Sequence, residues 1–219
     1  MPNPFLAALV LAPLVLPQSG EVRESTAEEL AGHRKMVETL ATIRATVRQK
    51  HPFLESATLE KLSEQVRTAD PVKLARPLFT RLVMLGKYQV REGLDADAIA
   101  SYRRALEFLP ALPSVERAAS ELALHYDLAI AYLRLGERAN CVARHTSESC
   151  LLPIGGSGVH ADQAGSKGAI EELRHVFQRT PPDDARHISA KWLINIAYQT
   201  LGQYPDGVPE AERIEPAVF

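Results

Sequence analysis

Leu85-Gly86-Lys87-Tyr88, Gly93, Ala98, Tyr102, Ala105 and Pro110 decide the fold. Gly86 and Ala98 stand twelve residues apart with Gly93 between them, and apolar residues recur at intervals of three and four on both sides of Gly93. That pattern predicts two helices joined by a tight turn. Small side chains at 86 and 98 let the two backbones approach, and Tyr102 fills the space between them. Ala105 leaves room for the next helix to pack, and Pro110 ends the second helix because it has no backbone N–H.

This unit over 79–110 resembles a tetratricopeptide repeat, and its Leu-Gly signature recurs. Tyr132-Leu133-Arg134-Leu135-Gly136 reads as the opening of a second unit and Tyr198-Gln199-Thr200-Leu201-Gly202-Gln203-Tyr204 as that of a third. The return helix of the second unit fits at Ala169, Leu173, Val176 and Pro181, which arrive 21 residues late, so an insertion is expected over about 140–168. The third unit resembles the lone helix that closes such stacks. The expected fold is therefore all-α: a tetratricopeptide-like antiparallel helix-pair stack over 71–202 with a Cys/Gly-rich insertion and an extended tail over 203–219, where Pro205, Pro209 and Pro216 deny backbone donors.

The remaining periodicity is helical as well, with no convincing alternation at period two beyond residue 20. N-terminal helices are expected over 21–70. A capping-box pair, Ser25 and Glu28, opens the first; Met36, Leu40, Ile43 and Val47 form its stripe; His51-Pro52 ends it. A second helix is expected over about 57–68. Asp70 reads as an N-cap with Pro71 at the first helical position, followed by helix to about 92 with a bend at Pro77. Helix is next expected over 95–109, and from Ser114 to about Val142 with the stripe Val115, Ala118, Ala119, Leu122, Tyr126, Ala129 and Leu133. After an aperiodic stretch, helices over 167–179 and 184–202 flank Thr180-Pro181-Pro182, with Ser166 as a cap and Trp192 and Tyr198 as core.

Composition narrows the function classes. The 219 residues are 46% hydrophobic and 24% charged, as in a globular chain. A net charge of −2 gives no basic footprint for nucleic acid. Residues 5–16 form an uncharged apolar run, too short to span a hydrocarbon core of ~30 Å and placed like the apolar region of a secretory signal peptide over 1–20. An exported chain, periplasmic or secreted, with no membrane span after signal removal is expected.

The insertion gathers Cys141, His145, Cys150, Gly155, Gly156, Gly158, His160 and Asp162. Loops that grow out of helical stacks often carry function. Three readings of the cysteines stay open. Cys141 and Cys150 can form a disulfide, worth ~2–3 kcal/mol for a loop of that size. Cys141, His145, Cys150 and His160 can supply four ligands to a tetrahedral metal such as zinc, although the set contains no C-x2-C pair. Two reduced thiols can also simply pack. The segment Gly156-Ser157-Gly158-Val159-His160-Ala161 fits G-x-G-x-x-A without the surrounding βαβ unit that gives the motif meaning. No P-loop, nucleophile elbow or H-E-x-x-H occurs.

Asn140-Cys141, His145, Glu148-Ser149-Cys150-Leu151-Leu152-Pro153-Ile154, Gly158-Val159-His160 and Trp192–Pro209 together resemble the N-terminal helical region of bacterial ASPIC/UnbV-type proteins. In that family a tetratricopeptide-like part precedes FG-GAP/VCBS propeller repeats. The resemblance implies export and a helical stack. It implies no catalytic residues here, and this sequence stops at Phe219, where the propeller would begin. The expected function is a non-catalytic interaction or scaffold module for an unidentified protein or peptide partner, with no cofactor. The alternatives are a metal-binding protein that uses the insertion, the N-terminal part of a larger propeller protein, and an enzyme that uses a pair such as His145 with Cys150.

Overall fold

The computed structural model describes residues 26–50, 56–149 and 151–219. The apolar run at 5–16, Ser25, His51-Pro52 and Cys150 lie outside the described residues. Among the described residues the regular structure is helical and no strand occurs, in agreement with the all-α expectation. The chain divides into two compact units, 1–44 and 45–219.

The described part of the first unit belongs to α1, Ala27–Lys50. Its capping box is Thr26 with Glu29: the Thr26 hydroxyl accepts from Glu29 N at 3.2 Å, and Thr26 N donates to Glu29 Oε2 at 2.8 Å. Two overlapping pairs satisfy the same four-residue pattern, and the helix uses the one a residue later than Ser25 and Glu28. Met36, Leu40 and Ile43 of the expected stripe are each about half exposed.

The second unit contains α2 (Ser56–Thr68), α3 (Ala75–Glu92), α4 (Asp95–Glu107), α5 (Ser114–Glu137), α6 (Ala164–Arg179) and α7 (Ala185–Thr200). Each packs on the next, and α3 also meets α5. Asp70 does cap, with Oδ1 accepting from Val72 N at 3.0 Å and Lys73 N at 3.2 Å. It caps a separate turn, however, and the α-helix begins only at Ala75. Pro77 explains the delay: it has no N–H for the Lys73 carbonyl, so it fits the first turn of α3 but not the interior of a helix begun at Pro71. At the other end, Gly93 with φ +75° lets its own N–H reach Val90 O (3.1 Å) and Leu94 N reach Gln89 O (2.8 Å). Pro110 falls in a short 3-10 turn, Leu109–Ala111, after α4.

Leu78, Leu82, Ala98, Ala105, Leu124 and Leu128 are fully buried in a core that continues through Leu173, Val176 and Ile194. Each large aliphatic side chain placed there contributes about 1.5–3 kcal/mol. Gly86 faces the Tyr102 ring so closely that a Cβ would overlap it. The expected partnership of these residues between α3 and α4 is present.

Four expectations change. In α5 the buried face is Leu124, His125, Leu128, Ala129, Ala131 and Tyr132, whereas Val115 is 86% exposed and Ala118 and Ala119 are exposed. The later half of the expected stripe does face the core, with Ala129 buried and Tyr126 and Leu133 packed against it, so the departure is confined to the first turns of the helix. Leu201 is buried, but Gly202 is exposed at φ +68° and closes α7: Gly202 N bonds Gln199 O at 2.9 Å and Gln203 N bonds Tyr198 O at 3.0 Å. This Leu-Gly pair therefore ends a helix rather than packing two together. Trp192 is 37% exposed and rests on Phe219, with ring centroids 4.7 Å apart, while Tyr198 is buried as expected. The tail over 203–219 follows the body as a chain of turns rather than an extended strand. It is held there by Asn195, which bonds Glu212 O (2.7 Å) and Ile214 N (3.0 Å), and by the Arg174–Glu212 ion pair at 2.8 Å.

Backbone approaches backbone between α5 and α6. A Cβ on Gly165 would stand 2.5 Å from Gly136 N and 2.6 Å from Tyr132 O, and one on Gly168 would stand 2.6 Å from the Tyr132 ring. Around Gly155 there is open space. Because backbone cannot move aside as a side chain tip can, Gly165→Ala should destabilise by about 1–3 kcal/mol. Gly155→Ala should be neutral or stabilising by up to about 1 kcal/mol through the unfolded chain. Urea unfolding of the two variants side by side checks the contact, and equal midpoints would contradict it.

Candidate functional site

α5 runs into a π-turn, Arg138–Val142, and α6 begins at Ala164, so the connection between them is 143–163, within the stretch where sequence expected an insertion. Its ends are tied by Asn140, which is buried. Asn140 Nδ2 donates to Gly136 O and to Asp162 O, both at 2.8 Å, and Oδ1 accepts from Asp162 N at 2.9 Å. Asp162 in turn accepts from Ala164 N at 3.0 Å. Gln163 holds the N-cap position without a side-chain cap bond, Asp162 precedes it, and Ser166 lies inside the helix, buried, rather than capping it.

Within the insertion, the Glu148 carboxylate accepts from Ser157 N at 2.7 Å and Ser157 Oγ at 2.5 Å. These two bonds hold Glu148 below the usual carboxylate range. Gly156–Gly158 form one 3-10 turn over it, and Gly158 passes so close to Glu148 O that a Cβ would be 2.6 Å away. Ile154 N donates to Gln199 Oε1 of α7 at 2.9 Å.

The structure brings two of the four Cys/His candidates together. Cys141 Sγ lies 3.5 Å from His160 Nε2. His160 Nδ1 lies 3.2 Å from Ser166 Oγ, which is 2.8 Å from Thr200 Oγ1. His160 N also donates to Thr200 O at 2.8 Å. His160 is thus buried against α6 and α7, not at the outer side of the loop, and burial pushes its pKa below the ordinary imidazole value. His145 is exposed. Among the described residues no group of three His, Cys, Asp or Glu side chains is placed to hold a metal.

Cys141, His160, Ser166 and Thr200 share the wall of a cavity of about 360 Å³ with apolar residues that include Leu133 and Ile196. A second cavity of about 230 Å³ is also lined by Cys141, with Arg144 and Ser157. A shallower groove of about 120 Å³ lies between α3 and α5, lined by Phe79, Val83, Lys87, Ala123 and Asp127.

Sequence reasoning did not find the buried cluster between α5 and α6. His125 Nδ1 is 2.6 Å from Glu172 Oε2, and the His125 ring stacks on His175 at 4.2 Å. Burial, then the His125 and Arg179 charges, depress the pKa of His175. The Glu172/His175 spacing on one helix was a signal, but its partner lies 47 residues earlier in the chain than Glu172.

No protein-family model matches this sequence, and neither a curated protein nor a solved structure matches it.

Asn140→Asp replaces two donated hydrogen bonds by a buried carboxylate beside two carbonyls. It should cost about 2–4 kcal/mol by urea unfolding, since each stranded buried group costs about 1–3 kcal/mol. The depressed histidines set a pH dependence. The unfolded chain binds protons near 6.5 that the folded chain takes up only at lower pH. The stability that His160 and His175 contribute is therefore complete above about pH 6.5 and is lost as pH falls through their folded values. Thermal unfolding from pH 7.5 to 5 should show Tm falling, and His160→Asn with His175→Asn should flatten that fall.

Proposed function

We propose that this chain is an exported, tetratricopeptide-like module that binds a protein or peptide partner in extended form, along the face lined by α3, α5 and α7. The direct packing of α3 on α5 carries this reading. In a stack of helix pairs, the first helices of successive pairs meet one another and form the inner surface. Here α3 and α4 make one pair around Gly86 and Tyr102, α5 and α6 a second around Gly165 and Tyr132, and α7 begins a third. The groove beside Val83 and the cavity beside Leu133 lie along the same three helices.

The chemistry of that face suits a mixed ligand. Val83 and Leu133 offer apolar contact; Lys87 and Asp127 pair at 3.4 Å, and Arg134 and Glu137 stand at the cavity wall. Charges of both signs with apolar patches favour a peptide over a polyanion such as nucleic acid. Export rests on the apolar run at 5–16 and on the resemblance to the helical region of ASPIC/UnbV-type proteins. Among the described residues no helix is long and apolar enough to cross a membrane. A Cys141–Cys150 bridge fits the same compartment. The carbonyl of Ser149, the residue before Cys150, lies 3.9 Å from Cys141 Sγ.

Peptides selected from a displayed random library on the purified protein test the face. Binding should weaken at least about tenfold on Val83→Glu or Leu133→Glu, because each buries a charge against an apolar contact. It should survive Arg104→Glu on α4. Selected peptides indifferent to Val83 and Leu133 would place recognition elsewhere.

A further inference from the structure

We propose that the hollow between α6 and the end of α7 binds a small zwitterion with an apolar side chain, of which an α-amino acid is the simplest example. The hollow measures about 380 Å³ and shares no lining residue with the groove or the cavity of the proposed peptide face. Neither reading depends on the other.

One face of α6 supplies Lys167, Ile170, Glu171, Arg174 and His175, spaced by three and four residues, and the end of α7 supplies Tyr198 and Leu201. Ile170, Tyr198 and Leu201 are buried, whereas Lys167 and Glu171 are exposed, so a floor of apolar and aromatic side chains carries a charged rim. Arg174 is fixed before any ligand arrives. Its Nε and Nη2 donate to both Glu212 oxygens at 2.8–3.1 Å, and Nη2 also donates to Tyr198 Oη at 2.8 Å. A guanidinium has five N–H groups, and the two on Nη1 have no acceptor among the described residues. Tyr198 Oη accepts from Arg174, and its own proton has no acceptor there either, although Tyr198 is only 8% exposed. A buried hydroxyl proton at the wall of a hollow calls for an acceptor from outside the protein. His175 adds a donor of the same kind: its Nδ1 accepts from Arg179 Nη1 at 3.0 Å, which leaves the proton of the neutral ring on Nε2.

The charges indicate the ligand class. Lys167 and Glu171 stand four residues apart on α6, yet among the described residues neither forms an ion pair, with the other or elsewhere. The Arg174 charge is balanced by Glu212, so the hollow as a whole carries no excess of either sign. A plain anion would meet Glu171, and a plain cation would meet Lys167 and Arg174. A molecule with one carboxylate and one ammonium suits both: the carboxylate accepts from Arg174 Nη1 and Tyr198 Oη, and the ammonium turns to Glu171. The apolar side chain then lies on Ile170 and Leu201. A volume of about 380 Å³ sits at the small end for ligand pockets, which suits a molecule of amino-acid size rather than a folded partner.

The test titrates the full chain with leucine, methionine and phenylalanine by isothermal calorimetry. At least one should bind with a Kd below about 1 mM. Its analogue without the ammonium (4-methylpentanoate for leucine) and its analogue without the carboxylate (3-methylbutylamine for leucine) should each bind at least about tenfold more weakly, because each leaves one charge of the site without a counterpart. Tyr198→Phe, which keeps the ring and removes only the hydroxyl, should weaken binding by about fivefold or more, and Glu171→Gln, on the exposed rim, by about tenfold. The ligand series is read on the parent protein, so a variant that folds poorly cannot produce or hide its result. Three amino acids that all bind with a Kd above about 1 mM, an analogue with one charge that binds as tightly as the amino acid, or an affinity unchanged in both variants would overturn the proposal.

Discussion

The close contact of the α6 backbone on the α5 backbone at Gly165 governs the second half of the chain. With Gly165 against Gly136 N and Tyr132 O, and Gly168 against the Tyr132 ring, α6 has one position along α5. The start of α6 is thereby fixed at Ala164, and the end of the insertion with it. Asn140, one helical turn beyond Gly136, then faces Asp162 and bonds both its N–H and its C=O. The helix contact and the loop anchor are consecutive turns of the same helix, so neither can shift without the other. Leu128, Leu173 and Val176, all fully buried, lie along the seam that this contact allows to close.

A loop of this length must satisfy its backbone without a regular ladder, and ordering it costs about 1–2 kcal/mol per residue in backbone entropy alone. Groups from outside the loop, side-chain and backbone, supply much of the compensation. Gln199 of α7 accepts from Ile154 N, Thr200 O accepts from His160 N, and Asn140 bonds both polar groups of Asp162. Glu148 accepts twice from Ser157 inside the loop. The tail is organised the same way, with Asn195 bonded to Glu212 and Ile214 and with Arg174 held between Glu212 and Tyr198. One face of α7 thus organises the insertion through Gln199 and Thr200, and the tail is gripped through Asn195.

Sequence alone made the helical content legible and located most breaks, because Gly93, Pro110 and Thr180-Pro181-Pro182 act through local backbone rules. It also placed Gly86 and Ala98 where two helices approach, with Tyr102 between them; in the structure Gly86 faces the Tyr102 ring, sixteen residues on. The α5–α6 contact was half legible: Tyr132 and Gly136 were marked, but Gly165 and Gly168 fell beyond an aperiodic stretch that breaks the count. Gly202 carried the same Leu-Gly signature as Gly86 and Gly136, yet it serves φ +68° at a helix end. The dipeptide does not say whether its glycine is needed for space or for backbone conformation. In the connection between α5 and α6, sequence left three readings of Cys141 and Cys150 open: a disulfide, a metal site with His145 and His160, and packed thiols. Among the described residues the fold sets Cys141 beside His160 and exposes His145. Ser166 read as a helix cap and Thr200 as part of a repeat signature; nothing in the sequence joined either to His160, since a buried hydroxyl inside a helix has no pattern that names its partner.

The long connection between α5 and α6 changes the kind of surface the helices present. Between α3 and α4 the link is Gly93-Leu94, and the groove beside that pair, between α3 and α5, is about 120 Å³. Between α5 and α6 the link is 143–163, and the cavity beside that pair is about 360 Å³ because Ile154 and His160 add a wall to Leu133 and Ile196. The two hollows differ in volume and in what lines them: helix side chains alone beside Val83, and helix and loop side chains together beside Leu133. A ligand that lies along both would find weak, sequence-tolerant contacts beside Val83 and one deep apolar socket beside Leu133. Binding energy concentrates where a side chain is fully desolvated, so the socket would set which ligand is held and the groove its direction. Cys141 and His160 stand in the wall of that socket, next to whatever side chain fills it.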